Sequence, residues 1–309
     1  LEGEFGARSF RLDDLRAASA TAHVVMRPGR LELSHLVADA FGGRARGSVD
    51  VEFAQRDRVS VDVTGSGMKA GSLLRWIDLA LPLTARVDCS VRFEGEPGAR
   101  SSWQGEGDFQ LRPEAISPQR VTGAGSGSFR LDRGRLALLS EDLEIGAARL
   151  LLELDADLAR SPADGLLRLV GETSDARATQ LATLKILRGL GLEAPDLVLR
   201  PLEGRGPVGA AIFLGEEEKT DLSLGLRSGA WGGQPFDRAA LDLTLEEGGL
   251  ELRAIGIERG PERLSGSLYW DLEEPVPERV ELRATDLEVE TSRELLGLDL
   301  DLTGRLSGE

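Results

Sequence analysis

The chain has 309 residues, enough for two ordinary domains or one long repetitive one. Its 37 Lys and Arg stand against 53 Asp and Glu, a net charge of −16, and the Arg residues are scattered singly among acids. That makes nucleic acid a poor partner, because phosphate binding relies on clustered Lys and Arg, and it argues against attraction of the chain as a whole to anionic lipid headgroups. Hydrophobic residues reach 41% but aromatics only 5%, so the apolar stock is mostly Leu and Val, which suits a thin extended sheet better than a deep globular core. No stretch approaches the roughly 20 apolar residues of a membrane-spanning helix.

Along the chain, one design recurs about every 110 residues. It opens with a hairpin over 21–36, whose turn holds Gly29 and whose second strand carries Leu at alternate positions. Strands follow over 47–53 and 59–63, then a short helical segment over 70–79, then strands over 85–93 and 105–111. The second round has a hairpin over 128–138 around Gly134, strands over 150–156 and 167–170, and a helix over 176–187 with Leu181, Leu184 and Leu187 at helical spacing. Strands over 197–202, 208–214 and 222–226 complete it. The third round has a hairpin over 241–252 around Gly249, then strands over 264–270 and 280–284. A helix follows over 292–296, introduced by a capping box at Thr291 to Glu294, and a strand over 298–302. The chain is therefore expected to be one continuous module, 1–309, with repeats over 1–111, 112–226 and, incompletely, 227–309. Neither end has the look of a natural terminus, so the chain reads as an internal piece of a longer protein.

Strand side chains alternate between faces, so a period of two reports one dry face and one wet one. The apolar set is Leu31 and Leu33, then Val49, Val51 and Phe53, then Val59, Val61 and Val63. It continues with Val87, Val91 and Phe93, with Leu111, with Leu136 and Leu138, with Leu152 and Leu154, and with Leu169. The third round contributes Leu243, Leu245, Leu250, Leu252, Leu268, Trp270, Leu282, Leu298, Leu300 and Leu302. A one-residue slip in any strand would expose its whole apolar set, so register is tightly specified. Glycines such as Gly47, Gly125, Gly127, Gly171 and Gly209, with Ala210, interrupt the strands and mark bends. The fold expected is mostly β: an elongated, curled antiparallel sheet forming an unfilled trough that takes elongated hydrophobic ligands. Ordinary core packing of the same residues is the alternative. The helical segments read equally as plugs on small domains or as lips along the rim of a groove.

Signatures of chemistry are missing. There is no His-Glu-x-x-His, no phosphate loop and no Gly-x-Ser-x-Gly, and the run from Gly123 to Gly127 lacks dinucleotide spacing. Cys89 is the single cysteine, on the apolar side of a strand, and reads as an inert buried thiol. His23 and His35 are the two histidines. The pairs Asp155/Asp157 and Asp299/Asp301 alternate with apolar residues and read as wet strand faces, and Glu216 to Lys219 as a solvated turn. No catalytic residue, metal site or cofactor is expected, and the protein reads as a non-enzyme.

The run from Gly29 to Val51, with alternating Leu, the paired Gly42 and Gly43 and a second strand containing Gly47, resembles the AsmA-like and TamB superfamily of bacterial envelope proteins. Ser228 to Gly233 is similar to the same signature, and Thr285 to Val289 to the segment leading into a rim helix. The second repeat departs, because Glu144 to Ala148 holds one Gly where the others hold two. The resemblance implies a repeating β-groove (the β-taco) with short helices on the rim. It also implies a periplasmic protein anchored in the inner membrane of a Gram-negative bacterium, with a phospholipid or other acyl lipid as its partner. In this reading the trough conducts acyl chains between inner and outer membranes. Burying a tail gains about 0.8 kcal/mol per CH₂, so a uniform lining solvates it without specific contacts. With about five strands per repeat at ~4.8 Å each, three repeats make a trough roughly 70 Å long. A second reading is a scaffold or chaperone for outer-membrane protein assembly, partnering assembly proteins through exposed strand edges.

Overall fold

A computed structural model describes residues 1–12, 15–53, 57–76, 83–114, 121–160, 164–189, 200–214, 219–246, 248–271, 274, 277–288 and 305–308. Among them strands dominate and two helices occur. The chain divides into two units, one of Leu1–Glu144 with Leu152–Gly165, the other of Ile145–Leu151 with Leu166–Glu309.

The first unit holds β1 (Glu2–Leu12), β2 (Leu15–Arg27), β3 (Arg30–Ala40), β4 (Gly43–Glu52), β5 (Arg58–Lys69), α1 (Ala70–Trp76), β6 (Leu83–Glu96), β7 (Ala99–Pro113), β8 (Val121–Asp132) and most of β9 (Arg135–Ile145). Part of β10 (Ala148–Asp157) and the start of β11 (Asp164–Thr173) also belong to it. From β1 to β8 each strand pairs antiparallel with its chain neighbour. One short parallel ladder departs from that rule, joining Leu83 and Thr84 of β6 to Val121 and Thr122 of β8. The second unit takes the remainder of β10 and β11, then α2 (Ala176–Gly189), β12 (Leu202–Leu214), β13 (Thr220–Trp231), β14 (Gln234–Glu246), β15 (Gly249–Arg259), β16 (Glu262–Asp271), β17 (Arg279–Glu288) and β18 (Arg305–Gly308). From β12 to β18 pairing is again antiparallel and in chain order. This is the mostly β, open antiparallel architecture with short helices that the alternation predicts.

Repetition is visible in element lengths. Strands β3, β9 and β15 each have 11 residues, and β4, β10 and β16 that follow them each have 10. The three hairpins enter through glycines at positive φ: Gly29 (75°), Gly134 (82°) and Gly248 (74°). The third turn thus uses Gly248 where the sequence pointed to Gly249, which is already the first residue of β15. The next turns differ in residue type but not in place: Phe41–Gly42, Gly146–Ala147 and Gly260–Pro261. A single Gly146 at φ 62° makes the second of them, so the missing glycine partner costs the second repeat nothing.

Two further devices shape the strands. Bulges shift the ladder between Leu33 and Leu36 of β3 and between Leu252 and Ile255 of β15, and His35 in the first takes φ 50°. Aspartates brace this kind of irregularity: Gly67 N–H, at the β5 bulge, donates to Asp88 Oδ1 (2.8 Å), and Ser126 N–H donates to Asp142 Oδ1 (2.7 Å). Aromatic rings lie over glycines of the adjacent strand in β7 and β8, pairing Gly107 with Phe129 and Phe109 with Gly127. A Cβ on Gly107 would fall 2.2 Å from the Ser90 carbonyl oxygen and 2.5 Å from the Phe129 ring, so backbone and ring together require glycine there.

Candidate functional site

In the first unit, antiparallel register turns the alternation into transverse apolar rows. Leu33, Val49, Val61 and Phe93 lie side by side and continue to Gly105 and Leu131. Leu31, Val51 and Val59 form a parallel row, and Val63 and Val91 another that ends at Phe129. All of these Val and Leu side chains are half-buried, and Phe53 at the strand end is exposed. Burial becomes complete where α1 docks: Ala70, Ala85 and Val87 pack with Leu73, Cys89, Phe109 and Leu111. Desolvation there pushes the Cys89 thiol up from its ordinary value, against a weaker hydrogen bond from Gly65, which fits an inert residue. Leu136 and Leu154 are buried, while Leu138 and Leu152 are half-buried.

Between these rows, on the opposite parity, run cross-strand ion pairs: Arg30 with Asp50, Arg92 with Asp62 at 2.8 Å, Arg112 with Asp88, and Arg135 with Asp155 at 2.6 Å. A hollow of about 510 Å³ lies over this charged face, lined by Asp50, Asp62, Arg92, Glu106, Arg130 and Asp132 among others. Val61, Phe93 and Leu131 of the apolar rows line it as well. His23 sits on the exposed side of β2 with its ring nitrogens 3.2 Å from Glu2 and 3.3 Å from Glu4. Among the described residues no group of three or more His, Cys, Asp or Glu is placed to hold a metal ion.

The second unit builds a different interior. One row runs Ala210, Leu222, Leu243, Leu252, Leu268 and Val280, and the next runs Val208, Leu224, Leu241, Ile255, Gly266 and Leu282. Along the first row burial changes sharply: Leu243 and Leu252 are 2% exposed, whereas Val280 is 51% exposed. The buried part is a packed cluster holding Leu226, Phe236, Leu243, Leu245, Leu250, Leu252, Ile255, Ile257, Leu264 and Leu287, with Leu268 and Leu282 against it.

Beside this cluster the packing gives way to an apolar cavity of about 200 Å³. Its walls come from β10 (Leu150), β11 (Leu169), β12 (Leu202, Val208, Ala210, Ile212), β13 (Leu222, Leu224, Trp231), β14 (Leu241, Leu243), β15 (Leu252, Ile255, Ile257) and α2. Six consecutive strands laid flat would spread their side chains over about 24 Å at ~4.8 Å spacing. For all of them to line one such cavity, the sheet must curl around it. Helix α2 closes one side with Ala176, Thr179, Gln180 and Thr183, a stripe at i, i+3, i+4 and i+7, together with Ala182 and Leu184. The helix is fixed at its start, where Ala178 N–H donates to Asp175 Oδ1 (3.1 Å), and along its length, where Gln180 Nε2 donates to the Arg200 carbonyl (2.7 Å) and Leu202 N–H to Gln180 Oε1 (3.3 Å). Thr179 and Thr183 donate to carbonyls one turn back, so their hydroxyls are satisfied and their methyl groups can face the cavity.

Of the residues proposed from sequence, Leu169, Leu243 and Leu252 line this cavity. Leu245 and Leu250 belong to the packed cluster, and Trp270 is half-buried beside it, opposite Leu250. Leu298, Leu300 and Leu302, the helix over 292–296, its capping box, Glu216 to Glu218 and the pair Asp299/Asp301 lie outside the described residues. The sequence reading missed most of the wall. Strands β12 and β13 carry Gly and Pro at mid-strand, which hides their alternation, and the bulge in β15 moves the apolar parity from Leu250 and Leu252 to Ile255 and Ile257.

No protein-family model matches the chain, and no similar curated protein or solved structure is found.

Proposed function

We propose that this chain is a hydrophobic-groove protein that binds the acyl chains of lipids and does not act as an enzyme. The observation that carries this reading is the cavity of the second unit, walled by Leu, Val, Ile and Ala from six successive strands and one helix, with few polar groups. An apolar lining of this kind gains free energy by accepting hydrocarbon. The half-buried apolar rows of the first unit supply further surface of the same character. Set beside the sequence resemblance to the AsmA-like and TamB proteins, the reading becomes a periplasmic segment that passes phospholipid tails between inner and outer membranes.

Native mass spectrometry of the purified chain tests it. Phospholipid is expected to remain bound to the wild type, and Val208→Asp or Leu222→Asp, each placing a carboxylate in the cavity wall, is expected to abolish it while the β-sheet circular dichroism persists. A wild-type chain that carries no lipid, and acquires none from mixed phospholipid vesicles, overturns the reading.

A further inference from the structure

Resting on that reading, we infer that the cavity of the second unit takes one alkyl chain at a time, about eight carbons deep, and prefers a single-chain amphiphile with an anionic headgroup. Depth follows from volume. An apolar protein cavity of about 150 Å³ holds one benzene, six carbons, so about 200 Å³ holds roughly eight and leaves no room for a second tail alongside the first. Mid-strand Ala210 and the half-buried Ala239 help to make that space, in rows otherwise built of Leu and Ile.

Headgroup sign follows from α2. The chain as a whole is strongly acidic, yet α2 carries no acidic residue, and Arg177 stands on it beside the cavity-lining Gln180. This helix forms one wall of the cavity. Arg177 Nη1 donates to Gln180 Oε1 at 2.9 Å, and Gln180 itself lines the cavity, so a guanidinium stands one hydrogen bond from the hydrocarbon space. A guanidinium has five donors, and one bond to an amide does not exhaust it. A carboxylate or phosphate on a chain seated below α2 would meet the Arg177 guanidinium there, and a quaternary ammonium would meet repulsion. Fatty acids and lysophospholipids share this chemistry.

The test is a titration below the micellar concentration with saturated fatty acids of six to sixteen carbons, with lysophosphatidic acids, and with alkyltrimethylammonium ions of matched length. Affinity is expected to rise about fourfold per methylene to roughly eight carbons and then level off. Anionic ligands are expected to bind at least tenfold tighter than cationic ones of equal length, and the two anionic series show which headgroup fits better. Ala210→Phe and Ala239→Phe should each shorten the plateau while circular dichroism stays unchanged. Arg177→Gln should erase the charge preference and leave the plateau in place. Affinity that keeps climbing to sixteen carbons, or cations that bind as well as anions, overturns this inference but leaves the groove reading standing. Absence of binding by every amphiphile overturns both.

Discussion

Val61 and Leu252 come from the same kind of alternating strand, yet the fold gives them different work. Val61 lies in a half-buried row between Val49 and Phe93, and Leu252 is 2% exposed within a packed cluster. Val61→Asp is expected to change stability by no more than about 1 kcal/mol, because its carboxylate stays within reach of water. Leu252→Asp buries an unpaired charge and is expected to cost more than about 4 kcal/mol, unfolding the second unit. Urea denaturation followed by circular dichroism separates the two, and equal losses would show that both apolar faces are filled to the same degree. Residue patterning alone made these positions look equivalent: period two reports which face a side chain takes, not what covers it. The Phe–Gly pairs were hidden for a related reason, since Gly107 is dictated by the Ser90 carbonyl and the Phe129 ring on its two neighbouring strands and not by anything local to β7.

At the scale of elements, hairpins and helices were legible because their signals are local. Gly29 and Gly134 mark turns, and the helix over 176–187 appears as α2. Its orientation was not legible. The Leu spacing suggested that Leu181 leads the apolar face, but Leu181 is 44% exposed, and the wall of the cavity is the Ala176, Thr179, Gln180 and Thr183 stripe. Threonines whose hydroxyls are absorbed by the helix's own carbonyls read as polar in sequence and act as apolar in the fold. Because Asp175 caps the helix through Ala178 N–H, Asp175→Ala is expected to cost about 1 kcal/mol. Limited proteolysis should then cut first within 176–189, and cleavage that begins elsewhere would mean that α2 is held by packing alone.

Across the molecule as a whole, acidity is concentrated where it can be used. Asp39 is held below the ordinary carboxylate range first by the Ser19 hydroxyl and then by Arg44, Asp142 by the Ser126 backbone N–H, and Asp155 by Arg135. A carboxyl lowered by folding adds stability that is complete above its unfolded value near ~4 and is lost as pH falls through the folded value. The urea midpoint is therefore expected to stay level from pH 7 to about 4 and to drop below it; a decline that starts near pH 6 would implicate other groups. Fold class was readable from the sequence because strict alternation leaves few architectures, whereas the division into two units cuts through β9, β10 and β11, strands that no composition change sets apart. Pairing between chain neighbours also decides how such a molecule can come into being. From β1 to β5, from β6 to β8 and again from β12 to β17, each ladder joins strands that are close neighbours in the chain, so assembly can proceed as a zip, strand upon strand, from any hairpin that forms first. A chain that folds from one end need never wait for its far terminus.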